Sequence, residues 1–168
     1  MISIQHYNSP LGRMLLAADE IGLTGLWFDG ARYFADGLSP DCIEAETPIL
    51  LTAKQWLDRY FAGQRPDVTP PLHPIGTEFR QAVWATLLQI PYGQTVTYGE
   101  LAQKLANERG LAAMSAQAVG GAVGHNRISI LIPCHRVIGA NGSLIGYAGG
   151  VDRKRQLLAL ERRTLSTR

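Results

Sequence analysis

Residues 130–138, "ILIPCHRVI", decide how the C-terminal half of this 168-residue chain is interpreted. Three apolar residues lead to Pro133, and Cys134 and His135 then stand side by side before the chain becomes apolar again. The apolar run predicts a buried strand that stops at the proline. A thiol next to an imidazole at the end of such a strand is either a nucleophile or a core residue.

The Cys-His pair alone favours the core interpretation, because free cysteine is most often a small buried hydrophobic side chain. Nucleophilic chemistry requires a thiolate, and a histidine oriented by a carboxylate can take up the thiol proton. Adjacent side chains of an extended segment point to opposite faces, so contact would require a bridging water or a turn at Pro133. The sequence contains no CxxC or HxxxH spacing, and no metal site is predicted.

The composition predicts a globular protein of one large or two small domains, since 46% of the residues are hydrophobic and 18% are charged. No apolar run approaches the roughly 20 residues that span a bilayer, so no membrane association is expected. The N-terminus lacks the pattern of a signal peptide, and two cysteines make no disulfide framework. We therefore expect a cytoplasmic protein.

Charge is distributed unevenly along the chain. Residues 1–76 carry five basic and nine acidic side chains, a net charge of −4, whereas residues 77–168 carry eleven and five, a net charge of +6. A basic C-terminal half predicts a polyanionic partner such as nucleic acid. A solvated basic face with no partner is the alternative, and charge alone leaves both open.

The N-terminal half has the pattern of an antiparallel β-meander followed by a helix. Apolar and β-branched runs at residues 2–7, 13–18 and 22–28 are separated by turn sequences and predict three strands. A polar, loop-like stretch follows. The predicted helix then begins after Thr47 as its N-cap and ends before Gly63.

Four of the nine prolines lie in residues 63–76 and predict an extended linker. We therefore expect two domains, residues 1–75 and residues 76–168. Helical spacing of apolar residues predicts four further helices, at residues 77–90, 97–110, 114–126 and 151–163. The second and third of these resemble a helix-turn-helix, although that pattern is weak by itself.

The longer context changes the interpretation of the cysteine. The sequence "IPCHRVIGANGSLIGYAGGVDRKRQLLALE" at 132–161 resembles the O6-alkylguanine-DNA alkyltransferases, repair proteins that move an alkyl group from guanine O6 to their own cysteine. The similarity continues through "TEFRQAVWATLLQIPYGQTVTYGELA" at 77–102 and "AVGGAVGHN" at 118–126. It implies an α+β fold, with a ribonuclease H-like N-terminal antiparallel β-meander and packed helix, and a mostly helical C-terminal domain with a winged helix-turn-helix.

The resemblance also implies a role for each matching residue. Cys134 would be the alkyl acceptor and His135 the base acting through water, with Glu161 as the carboxylate that orients it. Asn126 would brace the active-site turn. The implied substrate-binding residues are Tyr98, Val137, Tyr147, Ala148 and Lys154. The implied DNA-contacting residues are Ala116, Gln117, Gly120 and Arg136.

Within this implied site, Tyr98 would donate a hydrogen bond to the guanine, and Tyr147 would wall the pocket. The backbone of Cys134 and Val137 would accept from the guanine amino group, and the amide near Ala148 would face O6. Donors are needed because charge develops on the departing purine. The implied reaction is single-turnover repair of duplex DNA by a monomer that binds the minor groove, flips the nucleotide and needs no cofactor.

Three features depart from the family pattern. Gln117 stands where most members carry an arginine that fills the gap left by the flipped nucleotide, and glutamine lacks the planar cation. The turn at residues 106–114 is longer than the family pattern, and it either brings Arg109 to a phosphate or only caps the preceding helix. Arg127 occupies a position where proline is common.

Three other functions are weaker. A protein that only flags alkylated DNA would lack the cysteine, and a helix-turn-helix regulator with an alkylation-sensing cysteine would need a DNA-binding module outside the catalytic half. A Cys-His hydrolase would need an oxyanion hole and a cleft that the sequence does not indicate. The preferred alkyl size, activity on O4-alkylthymine and cooperativity on DNA stay open.

Overall fold

The computed structural model describes residues 1–144 and 146–166 of the chain. Its N-terminal half contains β1 (Ser3–Ser9), β2 (Gly12–Ala18), β3 (Leu23–Phe28), β4 (Ile43–Glu44) and α1 (Pro48–Phe61). The strands form one sheet in the order β3-β2-β1-β4, in which β1, β2 and β3 make the predicted antiparallel meander. The predicted α+β class is therefore confirmed for this half.

The fourth strand was predicted as loop. Ile43 and Glu44 pair in parallel with Ser3 and Ile4 along the outer edge of β1. Both residues of β4 are exposed, and a two-residue pairing shows no alternation of apolar and polar side chains. Periodicity therefore carries no signal for this strand.

Helix α1 has the predicted ends. The Thr47 hydroxyl accepts a hydrogen bond from the N–H of Leu50 at 3.2 Å, and Pro48 fills the first helical position, where no N–H is needed. Gly63 follows the helix with a φ of 79°, a conformation that glycine adopts without cost. The buried face of α1 consists of Leu50, Ala53, Leu57 and Tyr60.

The C-terminal half contains α2 (Glu78–Leu87), β5 (Val96–Thr97), α3 (Tyr98–Glu108), α4 (Ala116–Gly124), β6 (Val137–Ile138) and α5 (Val151–Ser166). Helices α2, α3 and α4 pack on one another, and α3 and α4 form the predicted helix-turn-helix. A two-stranded parallel sheet of β5 and β6 ties the start of α3 to the segment before α5. In the described part of the chain, no helix has the length and apolar character to cross a membrane.

The predicted strand at residues 130–132 is wrong. Ile130 has a φ of 71°, and the N–H of Cys134 donates to the carbonyl of Ile132 at 2.8 Å, which is the geometry of a tight turn. The chain continues as a short 3₁₀ helix from Cys134 to Arg136. Apolar residues signal burial in any backbone conformation, and the carbonyls of this turn are satisfied by a buried side chain instead of a neighbouring strand.

The two halves of the chain share one hydrophobic core and a backbone junction. On β3, the N–H of Leu26 donates to the carbonyl of Arg127 at 2.8 Å, and the N–H of Ser129 donates back to Leu26 at 3.0 Å. The linker covers the start of the same strand, where the N–H of Leu23 donates to Pro71 at 2.8 Å. The free edge of the sheet is thus used to anchor the turn that leads to the 3₁₀ helix.

Candidate active site

Cys134 opens the 3₁₀ helix, and only 6% of its surface is exposed. The side-chain amide of Asn126, buried just after α4, donates to Cys134 Sγ at 3.1 Å. The same nitrogen lies 2.9 Å from the carbonyl oxygen of Ile132 and 3.2 Å from that of Ile128. Asn126 therefore holds the Cys134 thiol and the tight turn together through one side chain.

The neighbours of Cys134 act on its pKa in opposite directions. Burial raises the pKa of the thiol above its ordinary value, while the hydrogen bond from Asn126, the charge of Lys154 and nearby backbone N–H groups lower it. Burial is the largest of these effects, so the resting sulfur is a thiol. Ionisation of Cys134 therefore requires a proton acceptor.

His135 and Glu161 form a fully buried pair. The Nε2–H of His135 donates to Glu161 Oε2 at 2.6 Å. Burial alone would raise the pKa of Glu161, but the hydrogen bonds and charges of His135 and Arg136 outweigh it and hold this pKa well below its usual range. Glu161 is therefore ionised on α5 at neutral pH.

The ionised carboxylate determines the state of the imidazole. Burial lowers the pKa of His135, against the opposing effect of Glu161, so that the ring is neutral at neutral pH. With the proton on Nε2, the other nitrogen, Nδ1, carries the lone pair. Nδ1 is buried and has no hydrogen-bond partner among the described residues, so it is the nitrogen that can accept a proton.

Arg136, predicted from the sequence to contact DNA, is buried beside Glu161 in this structure, and its contact with DNA stays a prediction. Its guanidinium is buried, donating through Nε to Glu161 Oε1 at 2.9 Å and through Nη1 to the carbonyl of Ile90 at 2.8 Å. A buried cation requires a buried counter-charge, and Glu161 supplies it. Gly93 donates its N–H to Oε1 at 3.0 Å, and its φ of 79° is a backbone conformation that favours glycine.

Lys154 brings a positive charge beside the thiol. This α5 side chain is fully buried, donates to the carbonyl of Val137 and lies 5.8 Å from the centre of the Tyr98 ring. Burial lowers the pKa of Lys154 to about 8, although the negative charge of an ionised Cys134 opposes the shift. Below that pH the ammonium is present and stabilises a thiolate.

A cavity of about 270 Å³ opens beside α4. Tyr147 and Ala148, both predicted to line the substrate pocket, form one wall. Arg32 and Tyr33 of the N-terminal half form another, where the N–H of Arg32 donates to the carbonyl of Ala148 at 2.9 Å and the Tyr33 ring stacks on His125 at 4.0 Å. These two contacts were not predicted from the sequence, because they join residues far apart in the chain.

Comparison with known proteins identifies the family. Residues 2–74 match the family model for the "6-O-methylguanine DNA methyltransferase, ribonuclease-like domain", and residues 78–163 match the "6-O-methylguanine DNA methyltransferase, DNA binding domain". The chain belongs to the 6-O-methylguanine DNA methyltransferase family. The two matches also agree with the fold of each half.

Methyltransferases of several organisms are similar to this chain over nearly its whole length. The methylated-DNA–protein-cysteine methyltransferase of Methanosarcina acetivorans is 43% identical over 155 residues, which cover 92% of this chain and 95% of the relative. That of Mycobacterium leprae is 42% identical over 169 residues, covering 99% and 96%. The crystal structure of Mycobacterium tuberculosis OGT in complex with DNA has a TM-score of 0.82 at 40% identity, covering 96% of this chain and 94% of that chain.

In this methyltransferase-family chain, α4 carries three of the residues that were predicted to contact DNA. Ala116 and Gln117 are exposed in its first turn. Gly120 is half-buried, and a Cβ at that position would lie 3.6 Å from the Tyr98 ring. The small residues of α4 therefore allow close packing on α3 on one side of the helix, while the other side is exposed to solvent.

The long turn before α4 begins with an ion pair. Arg109 ends α3, and its Nη1 donates to Glu78 Oε1, at the start of α2, at 3.2 Å. Arg109 is thus one-third exposed and shares its charge with a carboxylate. The predicted phosphate contact of Arg109 is not tested by this arrangement and stays a prediction.

Two side chains join the N-terminal half to the C-terminal half through contacts that were not predicted from the sequence. The Tyr60 hydroxyl, from α1, donates to Glu161 Oε2 at 2.6 Å. Arg127 Nη1 donates to the carbonyl of Ile75 at 2.8 Å, and its Nη2 lies 3.5 Å from Asp36. Spacing along one sequence carries no signal for such contacts, because each joins segments that meet only in the folded chain.

Proposed function

We propose that this chain repairs O6-alkylguanine in duplex DNA by transferring the alkyl group irreversibly to Cys134, once per molecule. It would thus act as a methylated-DNA–[protein]-cysteine S-methyltransferase, like the relatives that carry this name. The observation that carries the proposal is the hydrogen bond from Asn126 to the Cys134 thiol beside the buried pair of His135 and Glu161. Each group suits the activation of a sulfur nucleophile.

The reaction follows from the positions of these groups. The proton of the Cys134 thiol passes to Nδ1 of His135, directly or through water, and Glu161 stabilises the imidazolium. The sulfur attacks the alkyl carbon, forming the S–C bond as the C–O6 bond breaks, and the electron pair of that bond stays on the guanine. The guanine takes up one proton in place of the one lost by the thiol. Lys154 stabilises the thiolate, and Tyr98 donates a hydrogen bond to the departing base.

The target base must leave the duplex, which costs a few kcal/mol of unstacking. We expect α4 to enter the minor groove, where its small residues allow close approach and Gln117 fills the gap left by the base. The base would then occupy the cavity lined by Tyr147 and Ala148. The Val137 carbonyl, with one lone pair engaged by Lys154, can accept from the guanine amino group with the other.

The remaining predictions belong to the same proposal. The protein would act as a cytoplasmic monomer, since its chemistry needs a reduced thiol and both Cys42 and Cys134 are free. The two matched segments, residues 2–74 and 78–163, support a domain boundary near residue 75. A protein that only flags alkylated DNA is the second candidate, and a braced cysteine beside a base argues against it.

Intact-protein mass after mixing with a duplex that contains one O6-methylguanine tests the proposal. We expect a gain of one methylene unit in the wild type and none in Cys134→Ala. An unchanged mass with the duplex still bound would favour the flagging function. A gain that persists in Cys134→Ala would assign the acceptor to another residue.

A further inference from the structure

We infer that Tyr60, a residue of the N-terminal half, is a positioning residue for alkyl transfer, because it shares the carboxylate oxygen that orients His135. The inference rests on the proposed function. Tyr60 lies in the last turn of α1, is completely buried, and donates from its hydroxyl to Glu161 Oε2 at 2.6 Å. The Nε2–H of His135 donates to this same oxygen at 2.6 Å.

The direction of the Tyr60 hydrogen bond is unambiguous. Burial and the negative charge of Glu161 raise the pKa of Tyr60 well above its ordinary value, so the hydroxyl is protonated and can only donate to the carboxylate. Arg136 Nη2 is a third and longer contact of Oε2, at 3.2 Å. The charge on the oxygen that faces His135 is therefore divided among three donors.

The Tyr60 ring is held in one orientation by other aromatic side chains. Trp56, one turn earlier on α1, stacks on it with ring centres 5.2 Å apart and planes 10° apart. Phe61 and Tyr92 meet it edge-on at 5.3 Å and 6.2 Å. A donor fixed by packing loses no conformational freedom when the reaction proceeds, which is what a preorganised site requires.

The shared oxygen links Tyr60 to the proton affinity of His135. A hydrogen bond to the charged form of a carboxylate lowers its affinity for a proton and for neighbouring cations. With Tyr60 present, Glu161 keeps the proton on Nε2 of His135, and the stabilisation that it gives the imidazolium stays moderate. The pKa of His135 therefore stays low. Without this hydroxyl, Oε2 would carry more charge towards His135 and would raise the pKa of the imidazole.

Transfer should then depend on pH in a predictable way. Below the pKa of His135 the ring is already protonated and cannot accept the thiol proton, so the rate of transfer falls on the acid side. A higher pKa of His135 in Tyr60→Phe moves this acid limb to higher pH. A purely structural role of the tyrosine would change the rate by the same factor at every pH and would leave the midpoint unchanged.

The test is the single-turnover rate of mass gain across the pH range in which histidine titrates, at saturating duplex that contains one O6-methylguanine. We expect the acid-side midpoint of Tyr60→Phe to rise by about half to one pH unit. Tyr7→Phe is the matched control, because it also removes a tyrosine hydroxyl that donates to an α1 carboxylate, Asp58, at 2.7 Å, but not in the site. Its midpoint should equal that of the wild type.

A second variant should shift the acid-side midpoint of the transfer rate in the opposite direction. A fluorinated tyrosine at position 60 keeps the ring and is a stronger donor, so the midpoint should move below that of the wild type. An NMR titration of the His135 ring nitrogens without DNA should show the same two shifts. Equal midpoints and equal His135 titrations in all the proteins would overturn the inference, whereas a wild type that gains no mass would overturn the proposed function instead.

Discussion

Cys134 is a buried residue whose reactivity depends on its neighbours. Burial opposes the charge on sulfur, whereas Asn126 and Lys154 favour it, and the balance leaves a thiol at rest. The reactive thiolate therefore forms only when a proton acceptor acts. A resting thiol in a nearly closed site is also protected from unspecific oxidants, since susceptibility follows thiolate character and exposure.

The charge of Lys154 can be tested through the titration of the thiol. In Lys154→Met, we expect the pKa of Cys134 to rise by about one unit, because the cation beside the sulfur is lost. Thiolate absorbance measured against pH in a Cys42→Ser background would show the shift. The exposed Lys104 on α3 provides the control Lys104→Met, which should leave the curve unchanged. An equal shift in both variants would mean that only the net charge matters.

Glu161 makes stability depend on pH. Its pKa in the folded protein lies below that in the unfolded chain, so its contribution is complete above pH ~4.5 and is lost progressively as the pH falls from there. Glu161→Gln should be destabilised by about 3–5 kcal/mol at pH 7, because Arg136 is left buried without a counter-charge, and should lose less stability on acidification. Urea unfolding at several pH values measures this.

The exposed Glu44 of β4 provides the control for that experiment. Glu44→Gln should follow the stability curve of the wild type at each pH. A wild-type curve as flat as that of Glu161→Gln would contradict the assignment of Glu161 as the group responsible.

Among the elements, α4 carries exposed residues at its start, and the segment after it carries the residue that contacts the Cys134 thiol. The helix presents small and exposed residues at Ala116 and Gln117, while its end places Asn126 against the thiol. The turn that follows includes Ile130 in a left-handed conformation, which costs a β-branched residue of the order of 1–3 kcal/mol. The hydrogen bonds of Asn126 to two turn carbonyls help to hold this strained backbone.

Placing the family's usual arginine at position 117, at the start of α4, tests the proposed role of this position in nucleotide flipping. Gln117→Arg should tighten binding to duplex DNA, or speed transfer, by about five- to tenfold, since a cation reaches the gap left by the base. The measurements are the single-turnover rate and the binding constant at fixed salt. Gln64→Arg, exposed near the end of α1, adds the same charge elsewhere. An unchanged or slower rate in Gln117→Arg would contradict the role assigned to position 117.

At the scale of the whole molecule, the N-terminal half supports the active site. The edge of β3 pairs with residues 127–129, and Tyr60 reaches Glu161 from α1. Arg127 joins three segments, because its backbone binds β3 while its guanidinium contacts Ile75 of the linker and Asp36 of the loop after β3. Residues of both halves therefore hold the turn that leads to the 3₁₀ helix.

Removing the Arg127 side chain should loosen this junction. Arg127→Met is expected to lower the free energy of unfolding by about 1–2 kcal/mol, since hydrogen bonds from a charged donor are lost. Limited proteolysis should also cut the loop at residues 30–39 faster than in the wild type. Arg13→Met, an exposed arginine of β2, is the matched control. Identical cleavage rates in both variants would show that Arg127 does not hold the loop.

Much of the fold was predictable because local pattern and local structure agree. The meander β1 to β3, the cap of α1 at Thr47 and the helix-turn-helix follow from alternation, capping residues and helical spacing. The strand at 130–132 was wrong because apolar residues report burial and not backbone conformation. The strand β4 was missed because its two residues are exposed.

The candidate site likewise contains residues that the sequence predicts and contacts that appear only in the folded chain. The motif around Cys134 and His135 indicated the chemistry through its resemblance to a family, because the proposed nucleophile and its proposed base lie close together in the chain. The buried ion pair of Arg136, the hydroxyl of Tyr60 on Glu161 and the junction at Arg127 came only from the folded chain. These contacts join residues far apart in sequence, and the cost of burying a charge or donor without a partner selects them only once the core has formed.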